Sequence, residues 1–294
     1  MTLTNRVIVV GAAGQVGGAL MAQLGDRGHA ITKQQANIAN RSELLRSLTN
    51  AGPAHLLINA AAYTNVDRAE SEPELAHAVN GDAPGWMAEW AADQHIPFVH
   101  YSTEYVFPGG KPEPWTESDK PSPLSVYGAS KLAGEQAVRA VGGQDITLRT
   151  SWVYDDSTRN FVGRVLERAA TVDQLTMVGG QKGAPTYAPD LATTTLAIAE
   201  ALTSKSTTLP NLLHLTGTGS AWRPEYARAI IALALSSGLL SRDVAVAEVP
   251  ETVQTDGAVR PQSCILDCSR ASALGFMLPD WRSSLAQSIN VRSR

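Results

Sequence analysis

Apolar residues in the first half of the chain fall into short, nearly continuous runs separated by longer amphipathic stretches. Val7-Ile8-Val9-Val10 is the first run. Leu56-Leu57-Ile58-Asn59, Pro97-Phe98-Val99-His100-Tyr101 and Ile146-Thr147-Leu148-Arg149 follow, and Ala30-Ile31-Thr32 is a weaker one. Each reads as a strand with both faces covered. Residues 15–27, 41–50, 72–94 and 125–140 read as helices, the second capped by Asn40 or Ser42 and the third interrupted at Pro84. A loop rich in proline and glycine covers 108–123. The alternation predicts βαβ units, hence an α/β fold built on a doubly wound parallel sheet.

The regular alternation stops near residue 150. Beyond it, helical stretches lie near 158–171, 190–203, 223–239 and 281–290, with short strands near 174–178, 211–215 and 244–248. The expected organisation is a core domain over 1–150 and a smaller lobe over 151–294. That lobe would hang over the C-terminal edge of the sheet, with parts of it returning to the sheet.

Composition narrows the function classes. Of 294 residues, 44% are hydrophobic and 18% charged, which excludes disorder, collagen and coiled coil as the main architecture. The net charge of −4 leaves no basic footprint for a nucleic-acid partner, so an anionic ligand must be held by local donors. Cys264 and Cys268 have no neighbouring histidine or second cysteine pair to complete a zinc site, and they read as reduced thiols. The start of the chain lacks the pattern of a secretory leader, and no apolar stretch reaches the ~20 residues of a membrane helix. A cytoplasmic location is expected, with no membrane partner.

Gly11-Ala12-Ala13-Gly14-Gln15-Val16-Gly17 joins the first strand to the first helix. Glycines there allow a tight turn and the close approach of a pyrophosphate, which the helix N-terminus then binds. A plain tight turn is the alternative. NAD enzymes usually place an acid about 20 residues past this turn, on the adenosine ribose. Here His29 to Asn37 contains no acid, and Lys33 is placed to pair with a 2′-phosphate. This favours NADPH and leaves NADH open. Lys33 reads equally well as a solvated surface residue.

Tyr127-Gly128-Ala129-Ser130-Lys131 is the sharpest motif. Tyrosine and lysine at i and i+4 share a helix face, and the ammonium is expected to lower the phenol pKa and keep it competent in proton transfer to a carbonyl. The fourth strand runs on into Ser102-Thr103-Glu104-Tyr105-Val106-Phe107, whose hydroxyls are candidates to polarise the same carbonyl.

Together, Gly11–Gly17, Asn59–Thr64, Ser102–Phe107 and Tyr127–Lys131 resemble the extended short-chain dehydrogenase/reductases. The chain is more similar still to the dTDP-4-dehydrorhamnose reductase family, over nearly its whole length. Val66–Glu74, Lys131–Glu135, Arg149–Tyr154, Asn160-Phe161, Gly183–Thr186 and Arg260-Pro261 carry that similarity. The resemblance implies a Rossmann-type domain and NADPH-dependent reduction of the C4 keto group of dTDP-4-dehydro-L-rhamnose. The product, dTDP-L-rhamnose, would serve polysaccharide synthesis, and a homodimer is among the assemblies allowed.

The resemblance also implies site roles. Gly14, Gln15 and Val16 would wrap the pyrophosphate, within the turn from Gly11 to Gly17. Asn37 and Ile38 would lie against the adenine, with Ala62, Tyr63, Thr64 and Tyr101 beside the cofactor. Thr103, Glu104 and Trp152 would contact the sugar, Tyr127 would donate the proton and Lys131 would activate it. Arg260 is a candidate for the nucleotide diphosphate, or an ordinary surface ion pair.

Three departures stand out. Glu104 replaces the family's usual Asp, Asn37 stands where Asp is common, and Ala19 stands where some members carry an acid for a Mg²⁺-linked dimer. No metal is therefore expected. Two other readings remain. One is a different nucleotide-sugar reductase, epimerase or dehydratase, although dehydratases carry an Asp-Glu pair where this chain has Glu104-Tyr105. The other is a regulatory subunit resembling that of methionine adenosyltransferase, which retention of Thr103, Tyr127 and Lys131 argues against.

Overall fold

The structure, a computed structural model, describes residues 6–204, 209–250 and 257–293. Its strands are β1 (Val7–Val10), β2 (Gly28–Ile31), β3 (Leu56–Asn59), β4 (Phe98–Thr103), β5 (Asp145–Thr150), β6 (Val153–Tyr154), β7 (Gln174–Val178), β8 (Lys182–Gly183), β9 (Thr186–Tyr187), β10 (Leu212–His214), β11 (Ala221–Trp222) and β12 (Ala245–Val249). Its helices are α1 (Gln15–Leu24), α2 (Arg41–Asn50), α3 (Val66–Ser71), α4 (Pro73–His77), α5 (Ala83–Asp93), α6 (Val126–Val141), α7 (Phe161–Ala169), α8 (Ala188–Ser204), α9 (Arg223–Ser236), α10 (Ser269–Ala273) and α11 (Trp281–Arg292).

Six strands form the main sheet in the order β10-β5-β4-β3-β1-β2, all parallel. The chain winds outward from β1 in both directions, so the crevice between the ends of β1 and β3 is the topological switch point where such sheets bind ligands. β10 comes from the second half of the chain and pairs with β5. One face of the sheet packs Val7, Val9 and Leu213 against Leu20 of α1 and Leu191 of α8. The other packs Ile8, Val10 and Phe98 against Leu44 of α2, Met87 of α5 and Val138 of α6. A separate aromatic core, including Tyr154, Tyr187, Tyr226 and Trp281, supports the second lobe. There β6 pairs with β9, β8 with β11 and β7 with β12.

The helices follow their capping signals. Asn40 accepts a bond from the Glu43 N–H at the start of α2, at 3.1 Å, and Ser125 accepts one from Gly128 at the start of α6, at 3.2 Å. Gly142 closes α6 at φ 68°. The expected interruption at Pro84 is not found. Pro84 sits in the first turn of α5, where its missing N–H does little harm, and the irregularity lies just before it as a π-helical turn over Ala78–Asp82. Likewise the first helix ends at Leu24, and residues Gly25–Arg27 tighten into a 3₁₀ turn. Among the described residues no helix is long and apolar enough to cross a membrane.

Candidate active site

The C-terminal ends of β1, β3, β4 and β5 open onto a cavity of about 580 Å³, walled on its far side by the second lobe. The glycine turn forms its near edge. Gly11 has φ 82°, and a Cβ there would lie 2.5 Å from the Ala61 nitrogen. A Cβ on Gly17 would lie 2.2 Å from the Gly11 carbonyl oxygen. These two glycines are therefore required by the packing of the turn itself. Gly14, Gln15 and Val16 line the cavity. Gly14 caps α1 with no side-chain bond, and the first turn holds no acid, so the N-terminal donors of α1 remain available to an anion. The Gln15 side-chain oxygen is buried with no hydrogen-bond partner among the described residues. That orphaned atom and the open helix end fit a dinucleotide.

The loop after β3 is held from below. Asn59 is fully buried and accepts from the Ala61 N–H at 3.0 Å. Asn80, in the π turn, accepts from the Tyr63 N–H at 2.8 Å and donates to the Tyr63 carbonyl and the Ser130 hydroxyl, each at 3.0 Å. It thereby ties the loop to α6. Ala62 and Thr64 reach the cavity wall, whereas the Tyr63 phenol turns away to donate to Glu72 at 2.6 Å. Lys33, Asn37 and Ile38 lie off the wall. Lys33 and Asn37 are exposed, and Ile38 packs on the core. Glu43, the first glutamate after the turn, accepts the Asn37 N–H at 3.1 Å and is committed to the start of α2.

Tyr127 and Lys131 project from α6 towards the end of β4. The buried Lys131 ammonium donates to the Tyr101 carbonyl at 2.6 Å. Tyr101 thus offers the site its backbone, because its phenol donates to Thr195 in the core at 2.7 Å. Burial depresses Lys131 to about 8, against the pull of the Glu135 carboxylate. Tyr127 and Thr103 line the same cavity, and Thr103 donates to Glu104 at 2.8 Å. Desolvation raises the Tyr127 phenol above its ordinary value, and the Glu104 charge raises it further. This corrects the expectation that Lys131 lowers it, since the ammonium is drawn to the Tyr101 carbonyl instead. Desolvation also raises Glu104, to about 7, more than its bond from Thr103 and the charge of Arg223 lower it.

Trp152 forms part of the far wall in a left-handed backbone conformation, φ 43°, which strains a bulky residue. Gly183 makes room for its ring: a Cβ there would lie 2.2 Å from the indole. The Arg223 guanidinium stands 4.5 Å from the Trp152 ring centroid and 4.9 Å from that of Phe161. Arg159 and Arg164 share this wall. Arg260 lies off it, in an ion pair with Asp67 at 2.6 Å and a hydrogen bond with Tyr105. Among the described residues no group of three or more acids, histidines or cysteines is placed to hold a metal. Ala19 packs against the core beneath the sheet.

A family model described as the RmlD substrate binding domain matches residues 5–293. The dTDP-4-dehydrorhamnose reductase of Sinorhizobium fredii is 38% identical, the match covering 95% of each chain. That of Escherichia coli is 33% identical, covering 97% of each. The chain belongs to the dTDP-4-dehydrorhamnose reductase family. A Bacillus anthracis dTDP-4-dehydrorhamnose reductase in complex with NADP superposes with a TM-score of 0.88 at 31% identity, covering 97% of this chain and 98% of that one. A Thermus thermophilus UDP-glucose 4-epimerase, at 18% identity and a TM-score of 0.78, shares the fold.

Within this cavity and its supports, the sequence motifs marked the strand ends and α6 but missed Asn80, Arg164 and Arg223. Arg223 did leave a signal. It occupies the first position of α9, where a cation opposes the helix dipole, and an arginine there asks for an anionic or aromatic partner.

Proposed function

We propose that this chain uses NADPH to reduce the C4 keto group of dTDP-4-dehydro-L-rhamnose to dTDP-L-rhamnose. The observation that carries the reading is that Tyr127 of α6 and Thr103 at the end of β4 line one cavity with the open start of α1. The NADP complex of the Bacillus anthracis relative supports the choice of cofactor. Gly14, Gln15 and Val16 would hold its pyrophosphate, and Ala62 and Thr64 leave room for it beside β3. Lys33 stands exposed beyond β2 for a 2′-phosphate, with Glu43 committed elsewhere. When bound, the nicotinamide supplies a hydride.

The chain's own residues supply the rest. Burial keeps the Tyr127 phenol protonated at neutral pH, the form a proton donor needs. Tyr127 gives that proton to the substrate oxygen, and the Thr103 hydroxyl would turn from Glu104 to steady the developing charge. Lys131 fixes the end of β4 through the Tyr101 carbonyl and sets a positive charge one helical turn from Tyr127. The Trp152 ring would bound the sugar, and Arg223 and Arg164 would meet the diphosphate, with Arg260 held at the rim by Asp67.

The test is the loss of nicotinamide absorbance on mixing purified protein, NADPH and freshly made dTDP-4-dehydro-L-rhamnose, with NADH in parallel. Sugar-dependent oxidation, faster with NADPH, is expected. Tyr127→Phe is expected to lower turnover by about 100- to 10,000-fold while leaving NADPH binding intact. No oxidation by folded protein that binds NADPH would overturn the reading.

A further inference from the structure

Arg223 is a cation of the cavity wall that lacks a carboxylate of its own. It forms no ion pair among the described residues, in contrast to Arg149, Arg260 and Arg282. Burial, and the charges of Arg260 and Arg164, disfavour its cation more than Tyr105 and Glu104 favour it. The Trp152 and Phe161 rings hold the guanidinium at 4.5 and 4.9 Å from their centroids. Attraction to a ring face fixes where a cation sits, not how its flat fork is turned.

One side chain sets that turn. Among the described residues the Arg223 side chain makes a single hydrogen bond, from Nε to Oε1 of Gln181 at 2.8 Å. The Gln181 backbone carbonyl also accepts the Arg223 N–H at 3.0 Å, one of the amides that the start of α9 leaves unbonded. Gln181 itself is absent from the cavity wall, on which Arg223 stands.

The frame behind Gln181 is rigid. Gly180 turns at φ 82°, and the Gly179 N–H donates to the Val249 carbonyl at 2.9 Å at the end of β12. On the other side Lys182 opens β8, pairs with Trp222 of β11, and donates its N–H to the Gln262 carbonyl at 2.7 Å. The Lys182 ammonium lies 5.5 Å from the Trp222 ring centroid, so it is Gln181, not Lys182, that serves Arg223.

We propose that Gln181 is the positioning residue for the diphosphate of the substrate, working through Arg223. This rests on the reading above in which Arg223 meets that diphosphate. With Nε tied to Gln181, both terminal nitrogens of the fork are left for the ligand, in one fixed orientation suited to two phosphate oxygens. A carboxamide suits the task where a carboxylate would not. It accepts the Nε–H without neutralising Arg223, so the charge remains for the anion.

The experiment measures the affinity of dTDP by calorimetry, and kcat and KM with NADPH and dTDP-4-dehydro-L-rhamnose. It compares the wild type, Gln181→Met, Arg223→Met and the double variant. Gln181→Met keeps the length and removes the acceptor. It is expected to weaken dTDP and raise the sugar KM, each by about tenfold, with kcat within about threefold and NADPH affinity unchanged. Arg223→Met should weaken dTDP at least as much. Adding Gln181→Met to it should then cost less than about twofold more, since the residue has nothing left to orient. Gln181→Asn, one methylene short of Nε, carries the same expectation and decides the matter if the methionine variant does not fold. Unchanged dTDP affinity in the Gln181 variant, a full further loss in the double variant, or NADPH affinity falling in step with dTDP overturns the proposal. A wild type that does not bind dTDP overturns the diphosphate reading and the proposal together. Coupled losses of dTDP affinity without sugar-dependent NADPH oxidation in the wild type overturn the reductase reading alone and leave Gln181 its role.

Discussion

Glu135 lies one helical turn beyond Lys131 on α6 and faces Arg149 on β5. Both are nearly sealed from solvent, with side-chain exposures of 9% and 3%. The pair is bidentate: Arg149 Nε donates to Oε1 at 2.8 Å and Nη2 to Oε2 at 2.6 Å. Oε1 also accepts the hydroxyl of Ser102, the neighbour of Thr103. Replacing Glu135 by Gln keeps the shape and removes the charge, which strands a buried guanidinium. His214 at 3.4 Å is a weak substitute, and the Phe107 ring 4.9 Å away is only a partial one. Leaving one partner of such a pair uncompensated costs about 3–5 kcal/mol, more than a hundredfold in the folding equilibrium. The same loss frees Ser102, so turnover should fall as the register between β4 and α6 loosens. Denaturant unfolding, followed by intrinsic fluorescence, reads the stability. Glu135→Leu combined with Arg149→Met should recover most of it, because an apolar pair no longer carries a desolvated charge. A loss under about 1 kcal/mol for Glu135→Gln, or a double variant no more stable than the single, would refute the reasoning.

Three further outcomes are expected. Gly17→Ala puts a methyl 2.2 Å from the Gly11 carbonyl oxygen and must displace the start of α1. NADPH titration should show weakened binding, with about 1–3 kcal/mol lost in stability. Gly183→Ala drives a methyl into the Trp152 indole at 2.2 Å, so the sugar KM should rise by about tenfold with NADPH affinity unchanged, again 1–3 kcal/mol of strain. The third concerns pH. The folded protein holds the Glu104 proton more tightly than the unfolded chain does, about 7 against 4.5. Its contribution to stability is therefore greatest below pH 4.5, is lost as pH rises towards 7, and is level above that. The total is about 3 kcal/mol. Unfolding curves across that range should show the slope in the wild type and a shallower one in Glu104→Gln.

The sheet was legible because five of its strands announce themselves as apolar runs between amphipathic helices. Such a pattern has few other solutions. The cavity floor was legible for a related reason: in a doubly wound sheet the residues that follow each strand end meet at one edge. Gly14, Thr103 and Tyr127 were therefore placed by topology. The far wall obeys no such rule. Arg223, Arg164 and Trp152 lie on separate elements of an irregular lobe, and nothing periodic connects them. Side-chain direction was equally hidden. Tyr63 and Tyr101 both stand at strand ends facing the site, yet their phenols turn to Glu72 and Thr195. Asn80 was missed because a helix-like run gives no hint of the π turn that aims it at Tyr63.

The electrostatics of the site lean in one direction. Burial raises the acids Tyr127 and Glu104 and lowers the base Lys131, so at neutral pH both acids are pushed towards their protonated forms. A cavity biased in this way is prepared to give a proton, which is what reduction of a ketone demands and the reverse oxidation does not. Arg223 is the counterweight, since its charge favours the Glu104 carboxylate. An anionic diphosphate seated beside Arg223 would offset that charge and return Glu104 towards its protonated form.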